Sequence, residues 1–186
     1  MSLRSGYGKI ADLTIADENQ IIVESLLIKI NKILEIVMEE NKELENYNDK
    51  LLSQQKMSFN TNNIPNITIQ KYLERIFKYT EAEESTFIIA LIYIDRINQI
   101  SNIIITPYNI HRIIFISVLL AIKYNEDITF DFDYYAQVAG ISIDELKSLE
   151  IEFVCLVKFK LYINKEQFDN YKSFLDEIDC EESNKK

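Results

Sequence analysis

STFIIALIYIDRINQ, residues 85–99, is the stretch of this chain that decides the fold. Its apolar side chains cover nearly every side of a predicted helix, whereas a surface helix has only one apolar stripe. In a protein surrounded by water, such a helix is stable only when other helices enclose it. The stretch therefore predicts the central helix of an all-α domain.

Further helices are predicted on both sides of this central segment, because apolar residues recur at three- and four-residue spacing. Thr106 followed by Pro107 is typical of a helix N-terminus, and Gly140 of a helix C-terminus. Ser142 and Glu145 form a capping box, in which each side chain satisfies a free backbone group of the first turn. The predicted helices comprise residues 68–79, 85–99, 106–124, 132–139, 142–159 and 164–176.

A long amphipathic helix is predicted before this block, from about residue 17 to residue 54. Its apolar stripe packs on the block or is presented to another chain, and we favour packing because an exposed stripe of this size promotes aggregation. The expected organisation is a flexible N-terminus (1–16), the N-terminal helix with a polar connector (17–66), the helical block with a short C-terminal helix (67–176) and a tail (177–186).

Composition excludes several classes of function. The 186 residues include 30 acidic and 20 basic side chains, a net charge of -10 that disfavours nucleic acid. One histidine and two cysteines are too few for a structural zinc site, and three scattered glycines form no phosphate-binding loop. No uncharged apolar run is long enough to span a membrane. We therefore expect no cofactor, metal, membrane or small-molecule substrate, and a cytoplasmic and/or nuclear protein with reduced thiols.

Charged residues inside apolar helices are the remaining candidates. Asp95 follows an apolar helix face and needs a partner, and Arg75 on the preceding helix could supply it as a buried ion pair. Lys123 ends an apolar helix, and Glu150 lies at the edge of an apolar stripe. Taken singly, each is also explained as a structural residue. His111 near a helix start is interpreted as a polar helix-end residue, since no motif places a nucleophile beside it.

The order of these segments resembles the cyclin box, most closely that of the P-type and U-type cyclins. The segments are YLERIFKYT (72–80), ALIYIDRI (90–97), NIHRIIFISVLLAIKYNED (109–127), and YYAQVAGIS with ELKSLEIEFV (134–154). This resemblance covers residues 67 to about 175 and extends weakly to the preceding helix. It implies a five-helix cyclin box with an extra N-terminal helix and a short C-terminal helix, in agreement with the independent helix count.

The resemblance implies a regulatory subunit and no enzyme. Cyclins of this kind bind a cyclin-dependent serine/threonine protein kinase and turn its αC helix inward, in cell-cycle or phosphate-response signalling. Lys123 and Glu150 match the family's lysine and glutamate that contact the kinase, whereas Arg75 and Asp95 match the pair inside the box. The chain lacks the tryptophan of the substrate-docking patch of cell-cycle cyclins, which puts that route of substrate recruitment in doubt. The alternative is a cyclin-fold adaptor that binds a protein other than a kinase.

Overall fold

The computed structural model describes residues 4–43, 57–101, 103–127 and 129–178, with side chains from residue 19 onward. These ranges contain seven helices and no strand, as the all-α expectation requires. The five-helix block consists of α2 to α6, with one helix flanking it on each side. The helices are α1 (Arg4–Lys42), α2 (Ile69–Thr80), α3 (Glu84–Ser101), α4 (Ile110–Asn125), α5 (Phe132–Ala139), α6 (Ile143–Leu156) and α7 (Lys165–Glu177).

The centre of the domain is a pair of helices, α3 and α4, which pack along each other. α3 is buried over two and a half turns from Thr86 to Ile94, and α4 is buried almost continuously from Ile110 to Ile122. α3 also contacts α1, α6 and α7, while α4 also contacts α2, α5 and α6. The predicted enclosed helix is confirmed, and α4 shares that central position.

The N-terminal helix α1 packs on the block. Leu27, Ile30 and Leu34 recur at helical spacing and are at most 2% exposed, within the same apolar core as α2 and α3. α1 begins at Arg4, so helix is already assigned within the stretch of residues 1–16 for which flexibility is predicted. Residues 4–16 contain no proline, so the two glycines there lower helix propensity without blocking it. The predicted continuation toward residue 54 lies outside the described residues.

The predicted helix ends at Ser142, Gly140 and Asn164 are confirmed. The Ser142 side chain accepts from the Glu145 backbone N–H, and the Asn164 side chain accepts from Gln167 in the same way. Gly140 follows α5 with a φ of 78°, the left-handed conformation that suits glycine at this position. α6 ends at Leu156, earlier than predicted.

The start of α4 differs from the prediction. Thr106 and Pro107 form a turn before the helix, and Asn109 occupies the N-cap position of α4 without a capping hydrogen bond from its side chain. The Asn109 side chain accepts from the Thr106 N–H and donates to the Ile104 carbonyl, so it bonds backward to the incoming chain. These two bonds hold a tight turn where the sequence pattern alone predicted the first helical turn.

Candidate functional site

Lys123 and Glu150 lie side by side on the surface. Lys123 is in the last turn of α4 and Glu150 is in the middle of α6, and the Lys123 Nζ lies 2.5 Å from the Glu150 Oε1. The Lys123 ammonium also lies 4.6 Å from the ring centroid of Phe132, a cation–π distance. The side chains of Lys123 and Glu150 are 36% and 17% exposed, respectively. Packing of α4 on α6 therefore joins two residues that the sequence placed 27 positions apart.

Exposed apolar side chains adjoin this ion pair in the chain. Tyr124 follows Lys123 and is 56% exposed, and Ile151 follows Glu150 and is 65% exposed. Phe159, three residues after the end of α6, is 75% exposed, and its backbone N–H bonds to the Val154 carbonyl. We call Lys123, Tyr124, Glu150, Ile151 and Phe159 the α4–α6 face, a set defined by their positions in α4, in α6 and just after α6. It combines one close pair of opposite charges with three large apolar groups that the fold leaves in water.

The segment that connects α6 to α7 is anchored to the central helix α3. The Arg96 guanidinium donates to the Lys160 and Tyr162 carbonyls and to the Gln167 side chain. The Tyr93 hydroxyl donates to the Leu161 carbonyl at 2.9 Å. Burial raises the pKa of Tyr93 to about 12, so its hydroxyl stays protonated and remains a donor. These bonds hold the backbone directly beyond Phe159 against the core.

The expected ion pair between Arg75 and Asp95 is wrong. Arg75 donates to the Gln137 carbonyl beside α5, whereas Asp95 accepts from Tyr171 on α7 and from Gln99. Both side chains are only partly buried. α2 packs on α1, α4 and α5, and α7 packs on α3, so the two residues face different neighbours. Each side chain thus has its own hydrogen-bond partners, and the two do not form a bridge between α2 and α3.

His111 has a structural role. It is 8% exposed, its Nε2 lies 2.9 Å from the Ile67 carbonyl, and its ring packs edge-on against Tyr72. Burial lowers the pKa of His111, although the bond to Ile67 opposes that shift. The neutral ring therefore ties the segment before α2 to the start of α4.

We predict that His111 makes the fold less stable at acidic pH. Because the folded pKa lies below the unfolded value of about 6.5, the unfolded chain binds the extra proton, and the stability falls as the pH drops below 6.5. His111→Gln removes this titration while the other ionisable groups remain. The free energy of unfolding from urea titrations at pH 7.5 and pH 5.5 should decrease more for the wild type than for the variant. Equal decreases would contradict the prediction.

The described residues offer no membrane-spanning helix and no metal-binding cluster. No helix in these ranges is long and apolar enough to cross a membrane. No cluster of three or more His, Cys, Asp or Glu side chains there could hold a metal ion. Cys155 is a free, exposed thiol, and Cys180 lies outside the described residues.

Sequence reasoning missed the apolar part of the α4–α6 face and the anchoring residues. A usable signal existed for Ile151, because it falls out of phase with the buried Leu146, Leu149 and Phe153. No sequence signal distinguished Arg96 from its neighbour Asp95, since both follow the same apolar run.

The comparisons with known proteins agree with this architecture. The family model described as Cyclin matches residues 19–161, a region that begins within α1 and ends before α7. Cyclin-U2-1 of Arabidopsis thaliana is 42% identical over 116 residues, which cover 61% of this chain and 51% of that protein. Cyclin-U4-1 of Arabidopsis thaliana is 35% identical over 159 residues, covering 85% and 78%. Cyclin-P3-1 of Oryza sativa subsp. japonica is 36% identical over 129 residues, covering 67% and 55%.

The chain covers only part of several of these relatives. The chain spans about half the length of Cyclin-U2-1 and of Cyclin-U2-2, at 51% and 50%. The family match nevertheless takes in α2 to α6 and most of α1, and the relatives carry P-type or U-type names. The chain therefore belongs to the cyclin family, in the P-type and U-type group, with one matched cyclin box.

Proposed function

We propose that this cyclin binds and activates a cyclin-dependent serine/threonine protein kinase through the α4–α6 face. The observation that carries the proposal is the half-buried ion pair of Lys123 and Glu150, each of which is followed in the chain by an exposed apolar residue, Tyr124 and Ile151. Isolated exposed apolar residues are common on protein surfaces, but exposed apolar residues next in the chain to both members of one ion pair fit the composition of an interface centre.

The ion pair suits the end of a partner helix. A lysine ammonium has three N–H donors, of which the Glu150 carboxylate takes one and leaves two. A carboxylate likewise has acceptor capacity beyond a single bond. Helix ends present unsatisfied carbonyls and N–H groups, so Lys123 and Glu150 can bind the backbone at the αC helix of a kinase. The apolar side chains then cover the apolar surface of that helix.

Activation in this proposal is a shift between two kinase conformations. An inward αC helix lets its glutamate pair with the strand-three lysine that holds the ATP phosphates. A cyclin that binds the inward arrangement more tightly raises its population by that difference in affinity. All catalytic groups belong to the kinase, so we propose no enzymatic role for the cyclin itself. We place the complex in the cytoplasm and/or nucleus, acting in cell-cycle or phosphate-response signalling.

Two coupled measurements test the proposal. The tagged chain is used to purify partners from its own cells, and captured kinases of the cyclin-dependent class are identified by mass spectrometry. The recombinant kinase is then assayed with and without the cyclin, and we expect activity only when both are present. Binding without a rise in kinase activity, or capture without any such kinase, would favour the adaptor alternative and contradict activation.

A further inference from the structure

A cleft between α1, α3 and α7 is separate from the α4–α6 face. Its volume is about 360 Å³, toward the lower end of the range for small-molecule sites. Most of its wall is apolar, and the main apolar contributors are Ile33, Val37, Leu91, Ile94, Ile105 and Phe174. Phe174 is 51% exposed, and Ile33 and Val37 are partly exposed. A ligand in the cleft would therefore remove apolar surface from water, which favours binding.

One charged group, the carboxylate of Asp95, lines this cleft. Its Oδ2 accepts from the Tyr171 hydroxyl and from the Gln99 side chain at 2.6 Å. Within the described ranges, no hydrogen bond reaches Oδ1 and no cation lies at ion-pair distance from Asp95. The adjacent Arg96 makes no ion pair with Asp95 and donates instead to the segment between α6 and α7 and to α7, although its charge acts on Tyr171 and opposes the rise that burial causes in the pKa of that hydroxyl.

The protonation states around Asp95 leave it as an acceptor. Burial and the neighbouring Asp95 raise the pKa of Tyr171, so the hydroxyl keeps its proton and donates to the carboxylate. Asn98 and Asn170, which also line the cleft, are neutral. The cleft thus combines apolar walls with one negative charge that lacks a positive partner in the described part of the chain.

We propose that this cleft binds a small organic cation that carries an ammonium group on an apolar body. The ammonium donates to Asp95 Oδ1 and supplies the missing positive charge, while the apolar body packs against Val37, Leu91 and Phe174. An anionic ligand is disfavoured by the same carboxylate. A neutral ligand gains the apolar contacts without the charge-assisted hydrogen bond.

The experiment compares two probes of similar shape, 2-phenylethylammonium and the neutral 2-phenylethanol. Each probe is titrated into the full ¹⁵N-labelled chain, and the backbone amide signals of the protein are recorded by NMR. We expect saturable shifts at the backbone amides of the cleft, and an affinity about tenfold higher for the ammonium. Asp95→Asn keeps an acceptor for Tyr171, and it should weaken the ammonium about tenfold while leaving the alcohol unchanged. Asp176→Asn removes an exposed charge from the same helix α7 and should change neither affinity.

A second variant keeps the test decisive if Asp95→Asn destabilises the fold. Val37→Phe places a larger side chain in the cleft from a partly exposed position on α1, and it should abolish binding of both probes. Wild-type affinity in that variant would overturn the proposal. Equal affinity for ammonium and alcohol, or no saturable binding of either, would overturn it as well. The titration uses no kinase, so its outcome is independent of the proposed function.

Discussion

Glu150→Ala is expected to weaken the complex with the cognate kinase by about 30- to 1000-fold, the equivalent of about 2 to 4 kcal/mol. The change removes an acceptor from the α4–α6 face and leaves the Lys123 ammonium without the carboxylate that lies 2.5 Å away. Most of the loss arises because a charge is then desolvated in the interface without a partner. Lys123→Ala should have a similar effect, because it leaves the Glu150 carboxylate without the ammonium.

Two control variants separate the interface from the fold. Glu74→Ala removes an exposed carboxylate on α2, and it should leave kinase binding unchanged. Combining Lys123→Glu with Glu150→Lys restores the internal ion pair with its charges exchanged. This exchanged chain should fold normally but should not regain kinase affinity, because each partner atom then meets the wrong charge. Wild-type Kd values for Glu150→Ala and Lys123→Ala in a surface-binding or calorimetric titration would refute the assignment.

Leu27→Ala is expected to lower the free energy of unfolding by about 2 to 5 kcal/mol. Leu27 is fully buried where α1 packs on the block, so truncation removes apolar contacts and leaves a cavity. The neighbouring Ile28 is 53% exposed, and Ile28→Ala should change stability by no more than about 0.5 kcal/mol. Urea titrations measure the free energy of unfolding of both variants. Its dependence on urea concentration should stay constant, while the urea concentration at the midpoint should fall for Leu27→Ala.

The pair of variants also tests whether α1 belongs to the folding unit. Small and equal losses for Leu27→Ala and Ile28→Ala would contradict the packing of α1. A separate low-urea transition in the wild type would mean that α1 detaches before the remainder unfolds.

The sequence predicted well those features that depend on neighbouring residues. The enclosed character of α3 is visible in its run of apolar residues, and the caps at Ser142, Gly140 and Asn164 involve partners at most five residues away. The start of α4 was misplaced although its turn is also local. A threonine followed by a proline is compatible with a helix start and also with a turn. The bond from the Asn109 side chain to the Ile104 carbonyl stabilises the turn.

Features that depend on how helices are rotated against each other were beyond sequence reasoning. Asp95 and Arg96 both bond to α7, through Tyr171 and Gln167, and the sequence does not show which side of α3 meets which helix. The wrong pairing of Asp95 with Arg75 has this origin. Lys123 and Glu150 were identified individually, but their contact with each other required the packing of α4 on α6. Exposed Phe159 follows a helix end, where periodicity no longer separates buried from exposed positions.

The bonds from Arg96 and Tyr93 to the segment after Phe159 affect how strongly this part of the protein can bind a partner. That backbone is already fixed to the core helix before any partner arrives. Ordering a loop and its side chains on binding costs conformational entropy, and that loss is smaller where the free protein is rigid. Because the backbone next to Phe159 is preorganised, less of the free energy gained by burying Phe159 is lost to ordering. Removing the bonds that Arg96 donates would therefore weaken binding, although Arg96 itself need not contact the partner.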